Sequence, residues 1–469
     1  MASAVRANAD HFPTPISPLP RIYRFPFPRL VMLTRDQAKN LIERILRLSR
    51  ADEIQVNLND GEEKNIRFAD NRITTSGSTD DIAVRISSAF GKRAAVTSTN
   101  DITDEGLERA VRQSESLARL APANPERMPL LGPQEYAQVN AYFESTANAT
   151  ADARAKAAGT ALEAAQRGGD LTVAGLLITN AGMTAIGNNK GLFAYRPRTS
   201  VDFSETVRTS DGTGSGWAGA NHPDWTSVDF GKVSETAIAK ARLSRNPRPI
   251  EPGEYTVVLE PQAAADLVSL MANAFDSRSA EEGRSAFAKP GGGTRVGERI
   301  VDERVTMISD PADPQLLDSA FDNEGMPVGR QVWVENGVLK NLYSSRFWAQ
   351  KQGREPTGNA SSLKMLGGDQ TLEQLIASTE RGVLVTRFWY IRGVNPRTLL
   401  FTGLTRDGTF WIENGKIARA INNMRFNESP LFILRDLEAI GQAVRVSDGV
   451  VMPSLRVRDF TFSSLSDAV

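Results

Sequence analysis

The chain has 469 residues, enough for about two or three domains and a sizeable core. Its composition is that of an ordinary globular protein, 40% hydrophobic and 24% charged, and 55 Lys and Arg balance 56 Asp and Glu. That balance leaves no net field to draw nucleic acid or an anionic membrane. No apolar run approaches the roughly 18 residues that would span a bilayer, so a soluble, cytoplasmic protein is expected.

Cysteine is absent and only two histidines occur, His11 and His222. Disulfides, thiolate metal ligands and a Cys nucleophile are therefore excluded. Most zinc sites and most base-assisted nucleophiles draw on His or Cys. A catalytic site here would be built from carboxylates, hydroxyls, Lys, Arg or Tyr.

Residues 1–31 carry six prolines, no helical or strand period and no apolar stretch of secretory-signal type. They read as a disordered or mis-assigned tail preceding a natural start at Met32. Thr34 and Gln37 form a capping-box pair, and Ala38, Leu41, Ile42, Ile45 and Leu46 follow helical spacing. DEIQVNLND and EKNIRFADNRITTSG read as two strands turned at Asp60-Gly61, and a second hairpin turns at Gly91-Lys92. An Asp-capped helix over DITDEGLERAVRQSESLARLA follows, then an Ala-rich helix over 148–168 stopped by Gly168-Gly169. Residues 171–230 give several short strands and a Gly-rich loop, which holds His222 beside Pro223 and lacks the Gly-Lys-Ser/Thr of a P-loop. The helix VSETAIAKARLSR and the Pro-rich link 246–255 close this half.

The second half opens with an apolar strand ending in Glu260-Pro261, and an amphipathic helix is expected over DLVSLMANAFDSR, 266–278. Asn336-Gly337 and Asn414-Gly415, each flanked by apolar residues, predict two similar hairpins in one sheet system. Further helices are expected at 344–352, 371–379 and 429–441. The whole reads as an α+β protein: a tail, 1–31; an N-terminal α/β domain with a mixed or antiparallel sheet, 32–248; and a β-rich C-terminal domain, 249–469.

The ordered series IRFADNRITTSGSTDDIAVRISSAFGKRAAVTSTNDITDEGLERAV, YTVVLEPQAAADLV, SAFDNEGMPVGRQVWVENGVLKNLYSSRFWAQKQG, PTGNAS, FWIENGKIARAINNMRF, LEAIGQAV and PSLRVRDFTF resembles the TldD/PmbA family over nearly all the chain after Met32. The resemblance implies a two-domain α+β chain that dimerises around a cleft. Family chains of the TldD type carry HExxxH on the helix after the VVL strand and a late Cys, which together hold zinc and cut small or unfolded peptides. Chains of the TldE (PmbA) type lack the metal site and form the other half of a heterodimer. The family is also labelled a modulator of DNA gyrase, an indirect effect of that processing.

Counting from Val257-Val258-Leu259, the HExxxH positions fall on Ser269, Leu270 and Ala274, and the Cys should lie between Gly441 and Pro453, where AVRVSDGVVM has none. The resemblance thus implies a TldE-like, non-catalytic subunit with no metal or cofactor of its own. Its partner would be a zinc-bearing TldD-like subunit, or a second copy of itself, and its substrate a peptide.

Three alternatives stay open at this point. Asp266, Asp276, Glu281 and Glu282 would suit a hard cation such as Mg²⁺ or Ca²⁺. Ser269 with His222 as base would give a replaced hydrolase mechanism. A stand-alone peptide-binding scaffold is the third. The acidic pair Asp302-Glu303 and the triplet Asp322-Asn323-Glu324 are noted too, the second as a turn. Tyr390, Arg392 and Asn395, from RFWYIRGVNPR, are expected as peptide contacts in the cleft rather than as a nucleic-acid site.

Overall fold

A computed structural model describes residues 32–466. The expected tail 1–31, with its His11, lies outside the described residues. The first part contains α1 (Arg35–Leu48), β1 (Glu53–Ala69), β2 (Arg72–Phe90), β3 (Arg93–Thr99), α2 (Asp104–Leu120), α3 (Glu144–Ala147), α4 (Ala151–Gly168), β4 (Leu171–Asn188), β5 (Phe193–Thr209), β6 (Ser215–His222) and α5 (Phe230–Leu243). Its strands form a six-stranded antiparallel sheet in the order β3-β2-β1-β4-β5-β6.

The capping box on α1 forms as the sequence predicts, with Thr34 accepting from the Gln37 backbone N–H and the Gln37 side chain reaching back. Gly169, at φ 78°, ends α4 in a conformation that costs glycine nothing. Two helix pairs lie on one sheet face because the strands alternate with period two. Ile54, Val56 and Leu58 of β1 pack with α1 and α2, and Ile66 and Phe68 of the same strand pack with α4 and α5.

Asp60-Gly61 is not a turn. β1 runs through it unbroken, and the chain reverses at Asp70-Asn71, both left-handed at φ 50° and 58°, as a two-residue hairpin with right-handed strand twist demands. Gly61 faces Gly182 across the β1–β4 ladder, and a Cβ there would come within 2.8 Å of the Gly182 Cα. The glycine serves close backbone approach. The expected short strands of 171–230 are instead β4 and β5, 18 and 17 residues long, paired along their whole length. Thr103, not an aspartate, caps α2, while Asp101 binds Thr103.

The second part contains β7 (Gly253–Leu259), α6 (Pro261–Val268), α7 (Ser277–Glu281), β8 (Met307–Ser309), β9 (Gln331–Glu335), β10 (Val338–Leu339), α8 (Arg346–Gln352), β11 (Leu363–Met365), α9 (Leu372–Ala377), β12 (Arg381–Val385), β13 (Phe388–Asn395), β14 (Leu400–Thr405), β15 (Thr409–Glu413), β16 (Lys416–Ala420), β17 (Met424–Glu428), α10 (Pro430–Arg435), β18 (Leu437–Ser447) and β19 (Val450–Leu465). These strands form one mixed sheet, in which β19 holds β11, β7, β17 and β18 together. Both Asn-Gly hairpins form in this sheet, with φ 49° and 77° at 336–337 and 51° and 73° at 414–415. The helix expected at 429–441 stops at Arg435, and Leu437 onward joins β19 as β18. An apolar run of that length suits either element, and the sixteen-residue β19 offered it a ladder. The architecture is multi-domain α+β, and among the described residues no helix is long and apolar enough to cross a membrane.

Candidate functional site

Val257, Val258 and Leu259 of β7 are fully buried between β12 and β19, and Pro261 starts α6 at the position where a missing N–H costs nothing. The expected continuous helix 266–278 is broken. α6 ends at Val268, tightens to a 3₁₀ turn over Ser269–Ala274, and restarts as α7 when Asp276 accepts from the Ser279 N–H. Phe275, where the helical run ends, is anchored by its ring, which stacks on Phe287 at 5.3 Å and on Trp333 at 5.5 Å.

The stripe of this segment packs as its spacing reads. Leu267 and Met271 are fully buried, Ala274 nearly so, and Leu270 packs against the same core. At the three HExxxH positions the only heteroatom is the Ser269 hydroxyl, whose Oγ is buried without a hydrogen-bond partner. Zinc takes imidazole nitrogen, thiolate sulfur or carboxylate oxygen in a closed shell, so the residues here do not fit it. In the segment where the family places its Cys, Arg445 of β18 donates to Asn221 Oδ1 at 3.1 Å, to the Gln315 carbonyl at 2.8 Å and to Asp448 at 3.1 Å. That position joins the two sheets.

The acidic residues around α6 do not converge. Asp266 accepts from Gln262 Nε2 and the Phe388 N–H, at 2.7 and 2.8 Å, and burial pushes its carboxyl up to about 6. Asp276 is a cap, Glu281 accepts from Trp348 Nε1 and Arg354, and Glu282 binds Arg278 and Arg284. Among the described residues no group of three or more His, Cys, Asp or Glu is placed to hold a metal. Nor is Ser269 joined to His222, whose Nδ1 accepts from the Asp224 N–H at 3.0 Å. Burial, and then the charge of Arg445, lower the His222 pKa. Asp302 pairs with Arg304, and Asp322 caps the FDNEG turn by accepting from the Glu324 and Met326 N–H groups, the turn role its composition suggests.

Arg387, just before β13, and the exposed Trp389, near its start, are where the sheets bring arginine and indole together. The Arg387 guanidinium lies over Trp217 of β6 at 4.5 Å and over Trp389 at 5.2 Å, and Arg406 covers Trp389 at 5.1 Å. Asp407, in the turn after β14, is buried and accepts from Ser215 Oγ at 2.6 Å. Of the expected contacts, Tyr390 is 63% exposed at φ 55°, in a bulge of the β13–β14 ladder. A tyrosine held left-handed is strained, a condition that clusters at functional surfaces. Arg392 stacks on the Tyr390 ring at 4.6 Å, and Asn395 lies at the far end of β13, where its side chain accepts from the Arg397 N–H. The aromatic–arginine stretch 387–397 contains Arg387 and Trp389, but the sequence carries no signal for Arg406, nine residues beyond it, or for Trp217, some 170 residues away.

The first domain of the PmbA/TldA metallopeptidases matches residues 55–118, their central domain 134–245 and their C-terminal domain 252–464. The metalloprotease PmbA of Escherichia coli O157:H7 is 21% identical over 439 residues, 87% of this chain and 91% of that one. The chain spans about half the length, 42–48%, of several other curated relatives it matches. Two crystal structures share the fold, each covering 91% of this chain and 100% of its own with a TM-score of 0.81: TldE of Thermococcus kodakarensis, 19% identical, and a protein described as a modulator of DNA gyrase from Thermotoga maritima, 20% identical. Three consecutive domain matches, running in order over the described chain, place this protein in the TldD/PmbA family.

Proposed function

We propose that the protein is a TldE-like, catalytically silent subunit of a peptide-processing metalloprotease. It would be cytoplasmic, divided at about residue 248, and paired with a zinc-bearing TldD-type chain or, when that chain is absent, with a second copy of itself. The observation that carries this reading is the α6 segment, which keeps the family's strand-then-helix frame yet offers a buried hydroxyl, a leucine and an alanine where zinc would need donors. On this reading the chain holds no zinc, and the metal belongs to the partner. Purifying the chain alone and with a TldD-type partner tests it. Zinc and chelator-sensitive peptidase activity are expected only in the complex, and metal-dependent cleavage by this chain alone would overturn the reading.

A second reading, a peptide-binding scaffold without a protease partner, is favoured by β13. Among the described residues it pairs only with β14, and it exposes Trp389, Tyr390 and Val394. A free strand edge with exposed aromatics suits peptide capture by strand addition. A host genome lacking any family member with HExxxH would favour it. A mechanism through Ser269 would require cleavage that resists chelators and is lost in Ser269→Ala.

A further inference from the structure

We infer that the cavity between the first sheet and the start of β13 is a receptor for a carboxylate, the free C-terminus of a bound peptide, with Arg387 and Arg406 as its anion-binding groups. The inference rests on the peptide-binding reading above and adds which part of the peptide is recognised. The cavity has a volume of about 530 Å³, and its walls include Trp217, Arg387, Trp389, Arg406 and Asp407. Its charge is unbalanced. Asp407 already accepts from Ser215 through Oδ1, and its Oδ2 stands 3.4 Å from Arg387 and 3.7 Å from Arg406, too long for good charge-assisted bonds. The buried Arg387 Nε has no hydrogen-bond partner at all. The cavity lining sets Arg208, Arg387 and Arg406 against Asp70 and Asp407, one cation in excess. Asp407 is committed to a serine and Asp266 acts on Arg387 only through its charge, so the Arg387 Nε–H stays open to a second oxyanion.

The walls fit the rest of a terminal residue. Two indole rings hold Arg387 between them, which fixes the plane of the fork and leaves ring surface for an apolar last side chain. Apart from β14 no described strand pairs with β13, so beyond Phe388, whose N–H is held by Asp266, a peptide strand lying along it antiparallel would bring its C-terminus toward Arg387. Inorganic phosphate carries similar oxyanion chemistry and is the competing source.

Titration of the full chain by tryptophan fluorescence or calorimetry tests this. The probes are an N-acetylated pentapeptide ending in Leu as its free acid, the same peptide as its amide, and inorganic phosphate. The acid is expected to bind about tenfold or more tighter than the amide, the value of one charge-assisted contact. That preference should vanish in Arg406→Gln and in Arg387→Gln, with melting curves confirming that each variant folds. Arg406→Gln alone suffices if Arg387→Gln fails to fold. Equal binding of acid and amide, or an acid preference that survives in the folded variants, overturns the receptor but leaves peptide binding standing. Binding of phosphate with neither peptide overturns both, as does binding of none of the three.

Discussion

Glu205 should set a pH dependence of stability that a single substitution removes. Strand alternation places it with Val201, Phe203 and Val207 on the face of β5 that packs under α4 and α5, and it is 1% exposed. Its Oε1 has no hydrogen-bond partner, and its Oε2 lies 3.2 Å from the Ser234 hydroxyl, which also reaches the Phe230 carbonyl at 3.1 Å. One hydroxyl proton cannot serve both acceptors, whereas a protonated Glu205 can donate to Ser234. Burial accordingly pushes the carboxyl up from 4.5 to about 7. Because the folded value is the higher, the native state binds the extra proton. Stability is therefore fully present below pH 4.5 and falls by about 1.4 kcal/mol per pH unit until the folded group ionises near 7. The accumulated penalty is about 3 kcal/mol above that pH. Glu205→Gln keeps the shape and cannot ionise. Urea unfolding of both proteins between pH 4.5 and 8.5 should give similar midpoints at the acid end and a variant about 3 kcal/mol more stable at the alkaline end. The difference between the two curves isolates Glu205 from Asp266, whose raised carboxyl slopes the same way over a lower window. Parallel curves, with no gap opening between pH 4.5 and 8, would refute the reasoning.

Gly61→Ala should destabilise the first sheet by about 1–3 kcal/mol in urea unfolding, since the new methyl meets the Gly182 backbone at 2.8 Å and neither strand can yield. Arg445→Ala removes the bonds to Asn221, Gln315 and Asp448, and should lower stability by about 2 kcal/mol, with faster hydrogen exchange along β6 as its local signature. Tyr390→Gly relieves a left-handed side-chain residue, so the melting temperature should hold or rise, by the equivalent of up to about 1 kcal/mol, while peptide affinity falls with the lost ring.

Much of the fold could be read locally. Caps such as Thr34 with Gln37 and Thr371 with Gln374, and the two Asn-Gly turns, depend on residues within one turn of each other, so the sequence carries them whole. The chemistry missing at 269, 270 and 274 is of the same kind, because a donor atom that is not encoded cannot be supplied by folding. Asp60-Gly61 misled for the opposite reason. It is a good turn in isolation, but ladders of seventeen residues to β2 and fourteen to β4 outweigh it, and the glycine answers to Gly182 across the sheet.

The sequence by itself therefore determined the α+β class, the two Asn-Gly hairpins and that at 91–92, helix starts such as Thr34 with Gln37, and the absence of His, Glu and Cys at the family's HExxxH and late-Cys positions. Tertiary structure alone decided that the helical run after β7 tightens past Val268 and stops at Phe275, which is packed between Phe287 and Trp333. It alone built the Arg–Trp cavity, whose walls bring residues 70, 172, 174, 206, 208 and 217 against 387, 389, 406 and 407. Such features are fixed by contacts between distant segments, whose loop-closure entropy is met only when the whole core forms.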